Sequence, residues 1–221
     1  MTEFASIDEL VADGRSVHIE CSRETSAALL AAVRARYRTQ RCAFVLETDR
    51  GFERDSVASH LRFYGNIARN NMHHEDAISH FNLRGVAKRK IGGLAPSTLA
   101  LVNLARASLF EPEICFLERP LSDLDAEGRS IALAWIAERM EQGCRFITTV
   151  EPLREALLMP GVACWHEEGR FIAVDQDDGE DEDGGAAYEG DEVRVLKIPA
   201  HTETATLLFD PRDIDFAESM N

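Results

Sequence analysis

No stretch of the 221 residues approaches the ~18 to 20 consecutive apolar residues that an α-helical bilayer span needs. The first twenty, MTEFASIDELVADGRSVHIE, lack the basic start and apolar middle of a secretory leader. We therefore expect a soluble, cytoplasmic chain. Paired cysteines are also missing: Cys21, Cys42, Cys115, Cys144 and Cys164 contain no C-x-x-C, and several fall in apolar strands where cysteine acts as a small hydrophobe. Neither disulfides nor zinc is expected. The histidines of HHEDAISH, His73, His74 and His80, have no clean i, i+4 pair, so this segment reads as a solvated helix with polar ends rather than a metal site. Basic residues are scarce, 24 against 39 acidic ones for a net charge of −15, and no basic patch for nucleic acid stands out.

What is present suits one sizeable core and a small appendage: 45% hydrophobic and 29% charged residues. Strand and helix patterns alternate, the mark of a parallel α/β sheet. Strands are expected near residues 16–21, 42–47, 113–117 and 145–150, and helices near 24–36, 56–69, 74–81, 97–109, 126–142 and 153–158. In the helix near 126–142, Ile131, Leu133, Ile136 and Met140 share a face, and Gly143 supplies the stop. Residues 162–174, VACWHEEGRFIAV, read as a hairpin around Glu168-Gly169.

The densest signal is residues 104–125, LARASLFEPEICFLERPLSDLD, a helix end, a buried strand and a charged turn. On spacing alone, ICFLERP is equally well a buried strand with a charged exit. The whole run resembles the nucleotide-binding domain of ABC ATPases: LARA stands where that family has its LARAL helix, Pro112 opens the Walker B strand, and Ser122 to Asp125 match its D-loop, S-x-L-D. The resemblance implies an Asp then a Glu at the strand end, for Mg²⁺ and for the attacking water. Here those positions hold Glu118, whose extra methylene displaces the carboxylate, and Arg119, whose guanidinium cannot act as a base.

The phosphate loop departs in the same way. Gly14 and RSVHIEC read as a turn and an alternating strand, and SAALLAAVRARYR as the following helix, so the loop falls on ECSRETS, residues 20–26. Ser26 stands at the lysine position, Thr25, Arg23 and Glu20 at glycine positions, and Glu20 and Glu24 would face a polyphosphate. Ser22 or Thr25 is also a simple helix cap. The signature L-S-G-G-Q falls on Leu94 to Thr98, where Pro96 removes an amide donor; the IGG of 91–93 reads as a loop before a helix. Val150 replaces the switch histidine, and Glu47 or Thr48 the glutamine after the second core strand.

The resemblance covers about residues 1–174, with Ser56 to Leu83 like the family's helical subdomain and residues 162–174 like its closing strands. It implies an abbreviated P-loop NTPase-like (ABC ATPase-like) parallel sheet flanked by helices, with a short β appendage at the C-terminus. No catalytic residues and no bound metal are expected. A vestigial nucleotide pocket would comprise Ser22, Thr25, Ser26, Glu118, Arg119, Ser122 and Asp125, with ATP and Mg²⁺ weak at most. A homodimer is one implied partner.

Asp175 to Glu192, DQDDGEDEDGGAAYEGDE, holds ten acidic residues, four glycines and no basic residue, and reads as a self-repelling flexible linker. Residues 193–221 alternate again like strands, with a Pro211-Arg212 turn. Their IDFAES, residues 214–219, resembles the I-x-Y-I-E-S of LytTR-type DNA-binding domains. Degenerate ABC modules joined to LytTR domains form a class of bacterial transcription regulators. On this resemblance Asn221 falls about one small domain early, and DNA would be read only by residues beyond this chain. A C-terminal hairpin packed on the body is the plainer alternative. Three functions follow: a non-catalytic sensory or dimerisation module of a LytTR-type regulator, a divergent ATP-binding subunit of an ABC exporter with a membrane-protein partner, or a protein-contact scaffold.

Overall fold

Apolar residues on both faces of a strand require cover on both faces, and that requirement organises the sheet. The computed structural model describes residues 3–68, 72–174, 198–201 and 206–209. Within residues 3–174 the strands are β1 (Glu3–Phe4), β2 (Val17–Glu20), β3 (Cys42–Val45), β4 (Ile114–Glu118), β5 (Arg145–Val150), β6 (Val162–Glu167) and β7 (Arg170–Ala173). They form one sheet in the order β1-β7-β6-β2-β5-β4-β3. From β6 to β3 every pairing is parallel, while β7 and β1 close the edge antiparallel.

The helices are α1 (Ile7–Ala12), α2 (Arg23–Arg36), α3 (Val57–Ala68), α4 (His74–His80), α5 (Pro96–Ser108), α6 (Ala126–Glu141) and α7 (Leu153–Ala156). One part of the core gathers Leu10 and Val11 of α1, Val17 and Ile19 of β2, Leu29 and Val33 of α2, Phe116 of β4 and Phe171 of β7. The expected strands and helices are present with ends shifted by a residue or two, as fraying termini allow.

Several expectations need correction. RSVHIEC reads as an alternating strand, yet Val17, His18 and Ile19 are all fully buried. The reason is topological: β2 lies between β6 and β5, in mid-sheet. His18 survives there because its Nε2 donates to the Pro160 carbonyl at 2.8 Å. Helix α6 is also rotated from the expected face. Gly128, Ala132, Trp135 and Ile136 are its buried residues, and Trp135 sets the phase by packing between Phe81 and Phe146. Met140, Leu133 and Ile131 are only half-buried. The IGG of 91–93 is a 3₁₀ turn rather than plain loop. Its Gly92 amide donates to the Glu53 carbonyl at 3.0 Å, and a Cβ there would stand 3.1 Å from Glu53 Cβ. Strand β1 and helix α1 had no sequence signal strong enough to place them.

The five cysteines are free thiols. Among the described residues no helix is long and apolar enough to cross a membrane. A second unit, residues 176–221, contains an antiparallel hairpin of β8 (Ile198–His201) and β9 (Thr206–Phe209). The acidic segment 175–192, the Pro211-Arg212 turn and IDFAES lie outside the described residues.

Candidate functional site

In a parallel sheet, the carboxyl ends of the strands and the helix start that follows them form the natural crevice. Here β2 runs into α2 through Cys21 and Ser22. Ser22 is the N-cap: its Oγ accepts from the Thr25 amide at 3.2 Å. A cap is therefore the role its geometry gives it. Thr25 Oγ1 lies 3.4 Å from His166 Nδ1 on β6 and 3.1 Å from Ser22 Oγ.

Ser26, in the first turn of α2, is buried. Its hydroxyl donates to Glu118 Oε1 at 2.9 Å, and its oxygen lies 3.2 Å from Thr149 Oγ1. A hydroxyl has one proton to give, so Thr149 is the donor in that second contact. The other carboxylate oxygen of Glu118 accepts the Glu47 amide at 3.1 Å. Both oxygens of Glu118 thus meet internal donors.

Arg119 follows Glu118 in a left-handed conformation, φ 47°, which costs a non-glycine residue energy. Its amide donates to the Thr149 carbonyl at 2.8 Å. Its side chain is only 9% exposed and pairs with Glu151 at 2.8 Å and Glu47 at 3.9 Å. Glu47 in turn pairs with Arg23 at 2.9 Å. The result is an alternating chain of charges, Arg23, Glu47, Arg119 and Glu151, across the ends of β3, β4 and β5 and the start of α2. Cys21 beside it stays a neutral thiol, pushed up to about 12 by burial.

The last two sequence-singled residues lie on the following turn. Ser122 Oγ donates to the Arg119 carbonyl at 2.9 Å. Asp125 caps α6 by accepting the Gly128 amide at 2.8 Å, and its own amide donates to Ser97 Oγ at 3.2 Å. Of the residues singled out in the sequence, the structure brings Ser26 to Glu118, while the side chain of Arg119 pairs with Glu47 and Glu151. The sequence had no signal for Thr149, Glu151 and His166, which reach the site through strand register. Among the described residues, no group of three or more His, Cys, Asp or Glu is placed to hold a metal. A small cleft of about 30 Å³ lies beside Glu47, Asn103, Glu118, Arg119 and Ser122, and residues 20–26 do not line it.

Chemically, these residues hold one another. Ser26 stands where the resemblance implies a lysine, and both oxygens of Glu118 are occupied.

No protein-family model matches the chain. Over 96 residues it is 35% identical to the spermidine/putrescine import ATP-binding protein PotA of Desulfitobacterium hafniense, covering 42% of this chain and 27% of that protein. The chain thus matches about a quarter of that relative's length. Among solved structures, it resembles an inward-facing metal-chelate type ABC transporter at a TM-score of 0.62 and 16% identity, over 89% of this chain and 85% of that one. It also resembles the dimeric ATP-binding cassette MJ0796 with ADP and phosphate bound, at a TM-score of 0.59 and 16% identity, over 71% and 82% of the two chains. Residues 3–174 therefore have the α/β fold of ABC transporter-type ATP-binding domains, a mostly parallel sheet flanked by helices.

Proposed function

We propose that residues 3–174 are a non-catalytic ABC ATPase-like module, the sensory or dimerisation part of a LytTR-type transcription regulator. The observation that carries the first half is the self-closure of the strand-end site: Ser26 and the Glu47 amide occupy Glu118, and Arg119 is held by Glu151. A triphosphate entering here would meet carboxylates in place of a lysine and free amides. The dimeric state of MJ0796 supports a dimerising role for a chain of this fold. The regulator half rests on IDFAES and on the order of segments along the chain.

A second reading, a divergent ATP-binding subunit of a transporter, draws on the identity with PotA. Calorimetric titration with Mg-ATP, together with a phosphate-release assay, separates the two. The non-catalytic reading expects no release above a buffer blank and no micromolar affinity, with any residual binding independent of Mg²⁺. Micromolar affinity with Mg²⁺-dependent release, abolished by Glu118→Ala, would replace it with the transporter reading.

A further inference from the structure

At the amino ends of β3, β4 and β5, the far end of these strands from the site described above, an open cleft of about 250 Å³ is lined by Arg41, Glu111, Glu113, Arg139, Gln142 and Cys144. It has room for roughly eight water volumes of ~30 Å³, enough for a ligand of amino-acid size. None of residues 20–26 or 118–125 lines it.

The frame of the cleft is rigid. Helix α6 ends in paired bonds, the Cys144 amide to the Arg139 carbonyl and the Gly143 amide to the Met140 carbonyl, both at 2.9 Å. Gly143 is left-handed there, φ 89°, the helix stop that glycine favours. On the connection from α5 to β4, Glu111 is held at φ 42°, a conformation that costs a non-glycine residue energy and clusters at functional sites. The three strand starts are tied by backbone bonds, the Glu113 amide to the Arg41 carbonyl and the Arg145 amide to the Glu113 carbonyl, both at 2.9 Å.

Its charges do not close on one another. Arg41 pairs with Glu113 at 3.5 Å, which leaves Arg139 and Glu111 with no partner of opposite charge among the described residues. Half-buried Arg139 donates to Gln142 Oε1 and, at 3.4 Å, to the Pro112 carbonyl, and its Nε is buried without an acceptor. The neighbouring Cys144 thiol is neutral, pushed up to about 11 by burial, and a thiol sulfur is a weak acceptor. Arg145 shows the contrast. It too pairs with no carboxylate among the described residues, but its guanidinium nitrogens donate to the carbonyls of Arg15, Val11 and Leu10. A buried donor without an acceptor is costly, and a ligand that accepts from it removes that cost.

We infer that this cleft binds a small zwitterion of the amino-acid class, its carboxylate on Arg139 and its ammonium on Glu111. Two cations and two anions line the cleft, so their charges cancel. A phosphate dianion would meet two carboxylates, and a diamine two guanidinium groups. One charge of each sign on a single ligand satisfies both unpaired residues. Arginine also suits a carboxylate in particular, through parallel N–H bonds to its two oxygens. The inference holds whether or not the strand-end site takes nucleotide.

The test uses the full chain without nucleotide, and as probes the standard amino acids with β-alanine and γ-aminobutyrate. Thermal shift selects a probe and calorimetry measures it. At least one should bind saturably with a Kd below about 1 mM, and its N-acetyl and amide derivatives, each lacking one charge, at least about tenfold more weakly. Arg139→Gln and, separately, Glu111→Gln should each weaken that probe about tenfold. Arg170→Gln, on β7, removes the same charge elsewhere and should change nothing. Glu111→Gln should also erase the preference over the N-acetyl form, a loss that unfolding cannot mimic. No binding of any probe, equal binding of the free and N-acetyl forms, or binding indifferent to both cleft variants overturns the inference. So does equal binding of acetate, which assigns Arg139 to a simple anion.

Discussion

The Ser26 hydroxyl donates to Glu118 Oε1 at 2.9 Å, joining the first turn of α2 to the end of β4 across 92 positions of sequence. A hydroxyl bound to an ionised carboxylate is a strong bond of its kind.

Glu118→Ala removes the acceptor for both Ser26 and the Glu47 amide. Two enclosed donors then lack partners, and we expect a loss of about 1 to 3 kcal/mol in urea denaturation. An unchanged midpoint would mean that the site is not held together as described.

Arg119→Glu sets a carboxylate beside Glu47 and Glu151, where a guanidinium now pairs with both. The variant should lose about 1 to 3 kcal/mol at low ionic strength, with the deficit shrinking near 1 M NaCl as charges are screened. A deficit indifferent to salt would show that the ion pairs with Glu47 and Glu151 are not its source.

Acid should weaken the fold in a defined window. Burial lowers both His18 and His60 from 6.5 to about 4. Each histidine is neutral in the folded chain while the unfolded chain takes up its proton, so stability is full above pH 6.5 and falls as pH drops toward 4. The loss is at most about 3 kcal/mol per histidine. Thermal melts across that range should show the slope, and His60→Gln should flatten part of it. A melting temperature constant between these pH values would contradict the buried, neutral assignment.

Trp135→Ala opens the largest fully buried side chain, 2% exposed, between Phe81 and Phe146. The expected cost is about 3 to 5 kcal/mol, read from chemical denaturation. A cost below about 1 kcal/mol would show that α6 repacks without it.

The regulator reading expects this chain alone to bind duplex DNA no better than an unrelated acidic protein, given 24 basic against 39 acidic residues. A chain extended beyond Asn221 should bind a specific site. Equal binding by short and extended chains at moderate salt, or none by either, counts against that reading.

Periodicity carried most of the elements because strands and helices leave apolar spacings that do not depend on neighbours. Ser26, Glu118 and Arg119 were legible because each stands at a fixed distance from a helix or strand that the pattern marks. Thr149 was not, since it meets Glu118 only through the parallel register of β4 and β5. The phase of α6 failed for a related reason. Its burial is set by Trp135 against Phe81 and Phe146, contacts between distant segments.

By itself the sequence determined the order of strands and helices, the residue types at positions 26, 118 and 119, and the acidic break after residue 174, since these are local facts of residue type and spacing. Tertiary structure decided which groups meet at the strand ends. Strand ends from β3, β4 and β5 converge with α2, so that Arg23, Glu47, Arg119 and Glu151 become neighbours. It also decided the return of residues 87–91 alongside residues 55–58, through backbone hydrogen bonds. Both depend on pairings between segments far apart in the chain, whose energies come from closure of the whole fold and leave no mark on local residue spacing.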